Sequence, residues 1–198
     1  MTGRAAAARL AGRVAVLGWG SLLWDLADLA PKVEGPWLRG AGPRLPLEFS
    51  RISPKRRLSL VVVIDPDEGE DCPTHAIPSR RGTVAAAACD LRRRERALRL
   101  SQIGWVCART GRARGSDPRI VAAVRRWARD VGAAGAVWTD LDRNFAARTG
   151  AAFTVTRGLA YLRALEGESA ATARRYIDGA PTETDTPLRR ALAREPWW

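Results

Sequence analysis

Short apolar runs separated by turn-forming clusters organise the first third of the chain. The run 13–17 is apolar and rich in β-branched residues, and it stops at Gly18-Trp19-Gly20-Ser21, so it predicts a buried strand followed by a tight turn. Two further runs, 45–52 and 57–64, are separated by Ser53-Pro54-Lys55-Arg56. That spacing predicts a β-hairpin.

Later segments show the three-to-four-residue spacing of helices more often than strand alternation. The clearest helix has caps at Ser116 and Asp117, proline in its first turn, and an apolar face that ends before Gly132. Residues 1–12 predict a loose segment or a short helix, and 65–78 a loop. The other predicted helices are 22–29, 91–100, 157–165, 169–178 and 187–194, and the other predicted strands are 83–89 and 135–141. Because strands and helices do not alternate, the pattern predicts an α+β fold in a single domain over 1–198.

Glu95 is an acid on the apolar stripe of the predicted 91–100 helix, together with Leu91 and Leu98. An ionised carboxylate costs free energy to bury, so such a position suggests a chemical role. The alternative is a salt bridge on an exposed face with one of the four arginines beside it. Periodicity alone leaves both interpretations open.

The turn Gly18-Trp19-Gly20-Ser21-Leu22 follows directly after the first predicted strand. Glycine allows a positive φ and close approach of a ligand, and successive backbone N–H groups in such a turn can hold an anion. A dinucleotide fingerprint would need glycine at Leu23, and no Gly-Lys-Ser/Thr of a phosphate loop follows. A ligand-binding turn and a purely structural turn both remain compatible with these residues.

The net charge of +12 raises the question of nucleic-acid binding. Thirty-one of the 33 cationic side chains are arginine, and they are spread along the whole chain with few aromatic residues between them. That composition lacks the stacking platform of a single-strand binder. We therefore do not expect nucleic-acid binding as the main function.

The cysteine and histidine residues do not show the spacing of a metal site. Cys72, Cys89 and Cys107 are far apart, no Cys-x-x-Cys occurs, and His75 is the single histidine, in the predicted 65–78 loop. The segment that starts at Asp140 resembles a calcium loop but lacks its glycine and its final acid. We expect His75 to be a loop residue without a catalytic role, and we expect no metal site.

No apolar run approaches the ~18 residues of a membrane-spanning helix. The N-terminal segment 4–17 passes into the glycine turn with no clean cleavage site, unlike a signal peptide. We therefore expect a cytoplasmic protein without membrane contact. Its oligomeric state is not indicated.

Two motifs together resemble the γ-glutamylcyclotransferase-like family. The segment from Val14 to Trp24, with Gly18-Trp19-Gly20-Ser21-Leu22 at its centre, is similar to the family's apolar run followed by Gly-Tyr-Gly-Ser-Leu. The segment Leu91-x-x-Arg94-Glu95 is similar to the Leu-x-x-Arg-Glu that carries the catalytic glutamate of glutathione-specific members. The resemblance covers about residues 13–108, and Val137–Phe145 is similar to a branch of uncharacterised bacterial members.

This resemblance implies a small mixed β-barrel flanked by helices and an enzyme that cleaves a γ-glutamyl amide. The α-amine of the substrate attacks its own γ-carbonyl and expels an amine or amino acid, leaving 5-oxoproline. Glu95 would be the acid–base catalyst, and Gly18, Trp19, Gly20, Ser21 and Leu22 would bind the substrate. Ring closure supplies its own proximity, so the implied chemistry needs no cofactor.

The sequence departs from the family's motifs at two places. Trp19 replaces the family tyrosine and no glycine closely follows Arg94-Glu95, so specificity for glutathione is not implied.

On the predicted strand 45–52, alternation puts Glu48 opposite Leu47 and Phe49, so that Glu48 and Arg51 either line a pocket or face solvent. Two other functions stay open: a non-catalytic relative that binds a small ligand, and a basic nucleic-acid binder.

Overall fold

A computed structural model describes residues 3–198. The strands are β1 (Val14–Gly18), β2 (Arg44–Ser53), β3 (Ser59–Ile64), β4 (Glu70–Pro73), β5 (His75–Pro78), β6 (Ile103–Cys107), β7 (Ala113–Arg114) and β8 (Gly135–Thr139). The α-helices are α1 (Gly3–Leu10), α2 (Val84–Glu95), α3 (Pro118–Asp130), α4 (Phe145–Thr149), α5 (Val155–Arg163), α6 (Gly167–Asp178) and α7 (Pro187–Leu192). Short 3₁₀ helices cover Gly20–Leu23, Ala27–Lys32, Pro54–Arg56 and Leu100–Gln102.

The chain forms two compact units. The first contains the residues up to Leu45 and Pro73–Leu141, and the second contains Pro46–Cys72 and Asp142–Trp198. Each unit therefore combines two separate stretches of the chain. The single domain over 1–198 stays a prediction.

The first unit is built on a five-stranded sheet with strand order β5-β1-β8-β6-β7. β1 runs parallel to β8, with Val14 opposite Gly135, and antiparallel to β5, with Gly18 opposite His75. The central strands β1 and β8 are apolar because both of their faces are covered, as in other buried strands. Helix α2 packs on the sheet through a cluster that includes Val16, Leu91 and Val137, all 0% exposed.

The second unit contains a three-stranded sheet with strand order β3-β2-β4. β2 and β3 form the predicted hairpin, with Ile52 opposite Leu60, and a register shift interrupts their ladder between Glu48 and Arg51. Phe49 of β2 meets Tyr176 of α6 edge to face, with ring centroids 6.2 Å apart. Such aromatic pairs add about 0.5–1.5 kcal/mol to the effect of burial alone.

The prediction of an α+β fold is confirmed, but a closed barrel is not found. Among the described residues, β5 and β7 are the outermost strands of the larger sheet, and β3 and β4 are those of the smaller one. The strand at 135–141, the helix before Gly132 and the three C-terminal helices lie where predicted within a few residues.

The strand predicted at 83–89 is wrong, because these residues form the first half of α2. Alanine has the highest helix propensity, and the Thr83 hydroxyl caps the helix by accepting a hydrogen bond from Ala86 N–H at 3.3 Å. The helix predicted over 91–100 therefore begins earlier and ends at Glu95. Leu98, predicted on its apolar stripe, lies beyond the helix and is 90% exposed.

Three other segments also differ from the sequence prediction. The region 22–29 contains parts of two 3₁₀ helices instead of one α-helix. The predicted loop 65–78 contains β4 and β5, and His75 is therefore a strand residue. Strands β6 and β7 were not predicted; β6 is held by its antiparallel pairing with β8.

Helices long and apolar enough to cross a bilayer are not found in the described part of the chain.

Candidate functional site

The turn after β1 is shaped by two glycines. Trp19 continues in an extended conformation, and Gly20 adopts φ +56°, which favours glycine, at the start of the 3₁₀ helix Gly20–Leu23. At Gly18 a side chain has no room, because a methyl group there would overlap the Trp37 indole. The turn therefore requires both glycines for steric reasons.

The predicted substrate-binding residues of the turn are largely buried. Trp19 is 7% exposed, and Ser21 and Leu22 are also buried. The indole N–H of Trp37, which covers Gly18, is buried without an acceptor among the described residues. Buried donors without a partner are uncommon in proteins. The turn is thus packed into the first unit, with an unused donor on the ring that covers it.

Arg94 connects the turn to the end of α2. Its Nη1 contacts Glu95 Oε1 at 2.9 Å, and its Nη2 donates to the Ser21 carbonyl at 3.2 Å. The same guanidinium donates to the Asp25 carbonyl through Nε at 3.1 Å and also through Nη2. The Arg94 side chain is only 7% exposed, so these bonds fix a buried cation between the two predicted motifs.

Glu95 is the last residue of α2. Arg96 follows in the left-handed conformation with φ +49°, which ends the helix. The Glu95 side chain is 16% exposed and forms the ion pair with Arg94. Glu95 thus has a feature of each predicted alternative: its side chain is mostly shielded from solvent, and it is paired with an adjacent arginine.

Arg51 and Glu48 belong to the second unit. Arg51 is half-buried and donates from Nη1 to the Asp142 carbonyl, and burial lowers the pKa of its guanidinium. Glu48 is fully buried, so the solvent-facing alternative is wrong for this residue. Strand alternation failed here because both faces of β2 are covered.

The remaining polar candidates have structural contacts. His75 is fully buried, and its Nδ1 accepts a hydrogen bond from Gly40 N–H at 3.0 Å. Asp140 accepts from the Ser116 backbone N–H at 2.6 Å and from the Ser116 hydroxyl at 2.8 Å. Cys72, Cys89 and Cys107 form no disulfide in the described part of the chain.

Two residues of the site were not predicted from the sequence. Arg94 is part of the Leu91-x-x-Arg94-Glu95 motif, but the motif does not indicate that its side chain turns inward to the Gly18–Leu22 turn. Trp37 lies in an irregular segment far along the chain from Gly18. A glycine directly after a buried strand indicates that a bulky group approaches the backbone at that point. It does not identify which residue supplies that group.

Comparison of the chain with protein-family models, curated proteins and solved structures finds no match. The resemblance of the two motifs and the geometry around Arg94 are therefore the basis for a functional proposal.

Proposed function

We propose that this chain is a γ-glutamylcyclotransferase-like enzyme. Its substrate is a γ-glutamyl amide, and its products are 5-oxoproline and an amine or amino acid. The observation that supports the proposal most strongly is the buried Arg94 guanidinium, which contacts the Glu95 carboxylate and the Ser21 carbonyl. The hydrogen bond from Arg94 to Ser21 joins residues 73 positions apart in sequence, so the two motifs meet at one local site.

Glu95 acts as the acid–base catalyst in this proposal. Its carboxylate takes a proton from the substrate α-ammonium, and the resulting amine attacks the γ-carbonyl carbon. When the tetrahedral intermediate collapses, Glu95 returns the proton to the departing amine nitrogen, and the attacking nitrogen releases its second proton to solvent as the 5-oxoproline ring forms. General acid–base catalysis of this kind contributes about 10²–10⁴ in rate.

The Gly18–Leu22 turn binds the substrate and stabilises the oxyanion that develops on the γ-carbonyl oxygen. Backbone N–H groups are suitable because they are already oriented, and loss of one such donor costs about 2.7–4 kcal/mol in other acyl-transfer enzymes. Trp37 keeps the turn in place by packing on Gly18. Arg94 holds the Ser21 carbonyl, so it positions the turn relative to Glu95.

The test is release of 5-oxoproline from a panel of γ-glutamyl amides and dipeptides, followed by mass spectrometry. We expect product from the wild type and a loss of about 10²–10⁴ in turnover for Glu95→Gln. Glu34→Gln is the matched control, because Glu34 also forms a 2.9 Å ion pair with an arginine, Arg13, but lies outside the turn and α2. This variant should retain turnover.

Equal turnover of Glu95→Gln and the wild type would exclude Glu95 as the catalyst. A folded wild type that is silent across the panel, and binds γ-glutamyl compounds without converting them, would instead indicate a non-catalytic relative. Arg51 remains a predicted substrate-binding residue, and Arg51→Ala assayed on the same panel tests it through the change in KM.

A further inference from the structure

A cleft of about 440 Å³ lies in the first unit between α3 and the turn that joins β6 to β7. This volume is within the ~300–1,000 Å³ of small-molecule sites. The cleft lies beside Cys107, which pairs with Gly135 at the start of β8, whereas Gly18 is at the other end of the parallel neighbour β1. It is therefore distinct from the candidate catalytic site.

Small side chains create the space. Five of the nine lining residues are alanine or glycine, including Ala128 and Ala133, which are 2% and 3% exposed. Val106 adds an apolar contact. An apolar ligand body would therefore lose contact with water on entering the cleft, which favours its binding.

Two arginines supply positive charge to this apolar surface. Arg125 and Arg129 lie one helical turn apart on α3, and none of the nine lining residues, all within the described chain, is acidic. Arg125 Nη2 donates to the Gly111 carbonyl at 3.0 Å, while Arg129 is 3.8 Å from Asp130 with both side chains exposed. Like charges at this spacing destabilise a helix, and a bound anion would relieve that repulsion.

We propose that this cleft binds a small organic anion, with its charged group on Arg125 and Arg129 and its apolar body on the alanine floor. The proposal is independent of the γ-glutamyl reaction. The thiol of Cys107 also lines the cleft, and a hydrogen bond with the Thr110 side chain, with a smaller contribution from the Arg109 charge, lowers its pKa.

The probe is 8-anilinonaphthalene-1-sulfonate, an apolar aromatic anion whose fluorescence rises on binding. We expect one site per folded chain and a Kd raised about tenfold or more in Arg125→Ala/Arg129→Ala, because hydrogen bonds to charged groups are lost. The matched control is Arg119→Ala/Arg126→Ala, which removes the same charge from exposed positions of the same helix. The control should stay within about twofold of the wild type.

Two further measurements distinguish the cleft from other surfaces. Ala108→Phe, an exposed position at the cleft, should block the probe without affecting the fold. Octanoate should displace the probe, and octanol at the same concentration should not. No binding by the wild type, equal weakening in both arginine pairs, or unchanged binding in Ala108→Phe would each overturn the proposal.

Discussion

Glu48 is a carboxyl group with no exposed surface in the core of the second unit. Its Oε1 accepts from Phe49 N–H at 2.7 Å, and its Oε2 accepts from Leu188 N–H at 3.0 Å, near the start of α7. The Thr186 hydroxyl donates to it as well. Burial nevertheless outweighs these donors and raises the pKa of Glu48 to about 7, with a smaller contribution from the negative charge of Asp65.

This shift predicts a pH-dependent stability. The pKa of Glu48 is higher in the folded chain, about 7, than the ordinary 4.5, so the folded state binds the proton more tightly. The stabilisation is complete below pH ~4.5 and is lost as the pH rises through ~7. Over this window the free energy of unfolding attributable to Glu48 should fall by roughly 1.4 kcal/mol per pH unit at most.

Glu48→Gln should remove this component, because glutamine does not titrate. Urea unfolding of the wild type and the variant at pH 5 and pH 8 measures it as the difference between their pH dependences. Glu68→Gln, at an exposed position of the same unit, is the control and should follow the wild type. Parallel pH profiles for Glu48→Gln and the wild type would contradict the prediction.

Residues such as Glu48 and Arg94 show what a sequence cannot predict at this scale. Strand alternation predicted the face of the strand on which Glu48 lies, but not whether that face is covered. The covering element is α7, which lies far along the chain. The motif names Arg94 but does not predict its contacts, since these depend on where Ser21 and Asp25 lie in the fold. Glu95 was singled out by its position on the predicted apolar stripe and by its motif, which are both local.

At the scale of elements, α2 carries Glu95 at its C-terminal end, so the beginning of the helix contributes to the stability of the site. Thr83→Ala should lower the free energy of unfolding by about 1 kcal/mol, because the Ala86 N–H loses its cap. Thr83→Ser keeps a hydroxyl at the cap and should recover most of the loss. Thermal and urea unfolding measure both, and equal destabilisation by the two variants would show that the cap contributes nothing.

Elements with local signals were predicted, and those that depend on distant partners were not. β1, the β2–β3 hairpin and α3 combine an apolar pattern with a turn or cap inside the same stretch. In contrast, β5 is assigned as a strand because it pairs with β1, and β6 because it pairs with β8. The prediction placed a strand on the alanines of α2, because the cap at Thr83 that begins the helix was not recognised.

At the scale of the whole molecule, many arginines contact the protein itself. Arg143 pairs with the buried Asp65 at 2.8 Å, Arg81 pairs with Asp90 at 2.6 Å, and Arg189 donates to backbone carbonyls such as that of Ala180. These contacts fix arginine side chains in place but do not cancel the net charge of +12. The excess charge therefore acts as a field around the molecule.

Such a field predicts weak binding to duplex DNA that depends on salt and not on sequence. At physiological salt we expect a Kd of about 10⁻⁴–10⁻⁶ M, as for other non-specific contacts with phosphate, and a steep loss of affinity as salt increases. Fluorescence anisotropy with two unrelated duplexes at ~50 and ~200 mM salt measures both dependences.

Paired substitutions distinguish general electrostatic attraction to DNA from binding at one specific interface. Arg93→Ala/Arg96→Ala and Arg109→Ala/Arg112→Ala remove the same charge from exposed positions in two separate arginine clusters. If the net charge attracts the duplex, both pairs should weaken binding to a similar degree at ~50 mM salt, because each removes two charges from the same field. A nanomolar, sequence-dependent affinity that only one pair abolishes would contradict this expectation and make nucleic-acid recognition the better functional proposal.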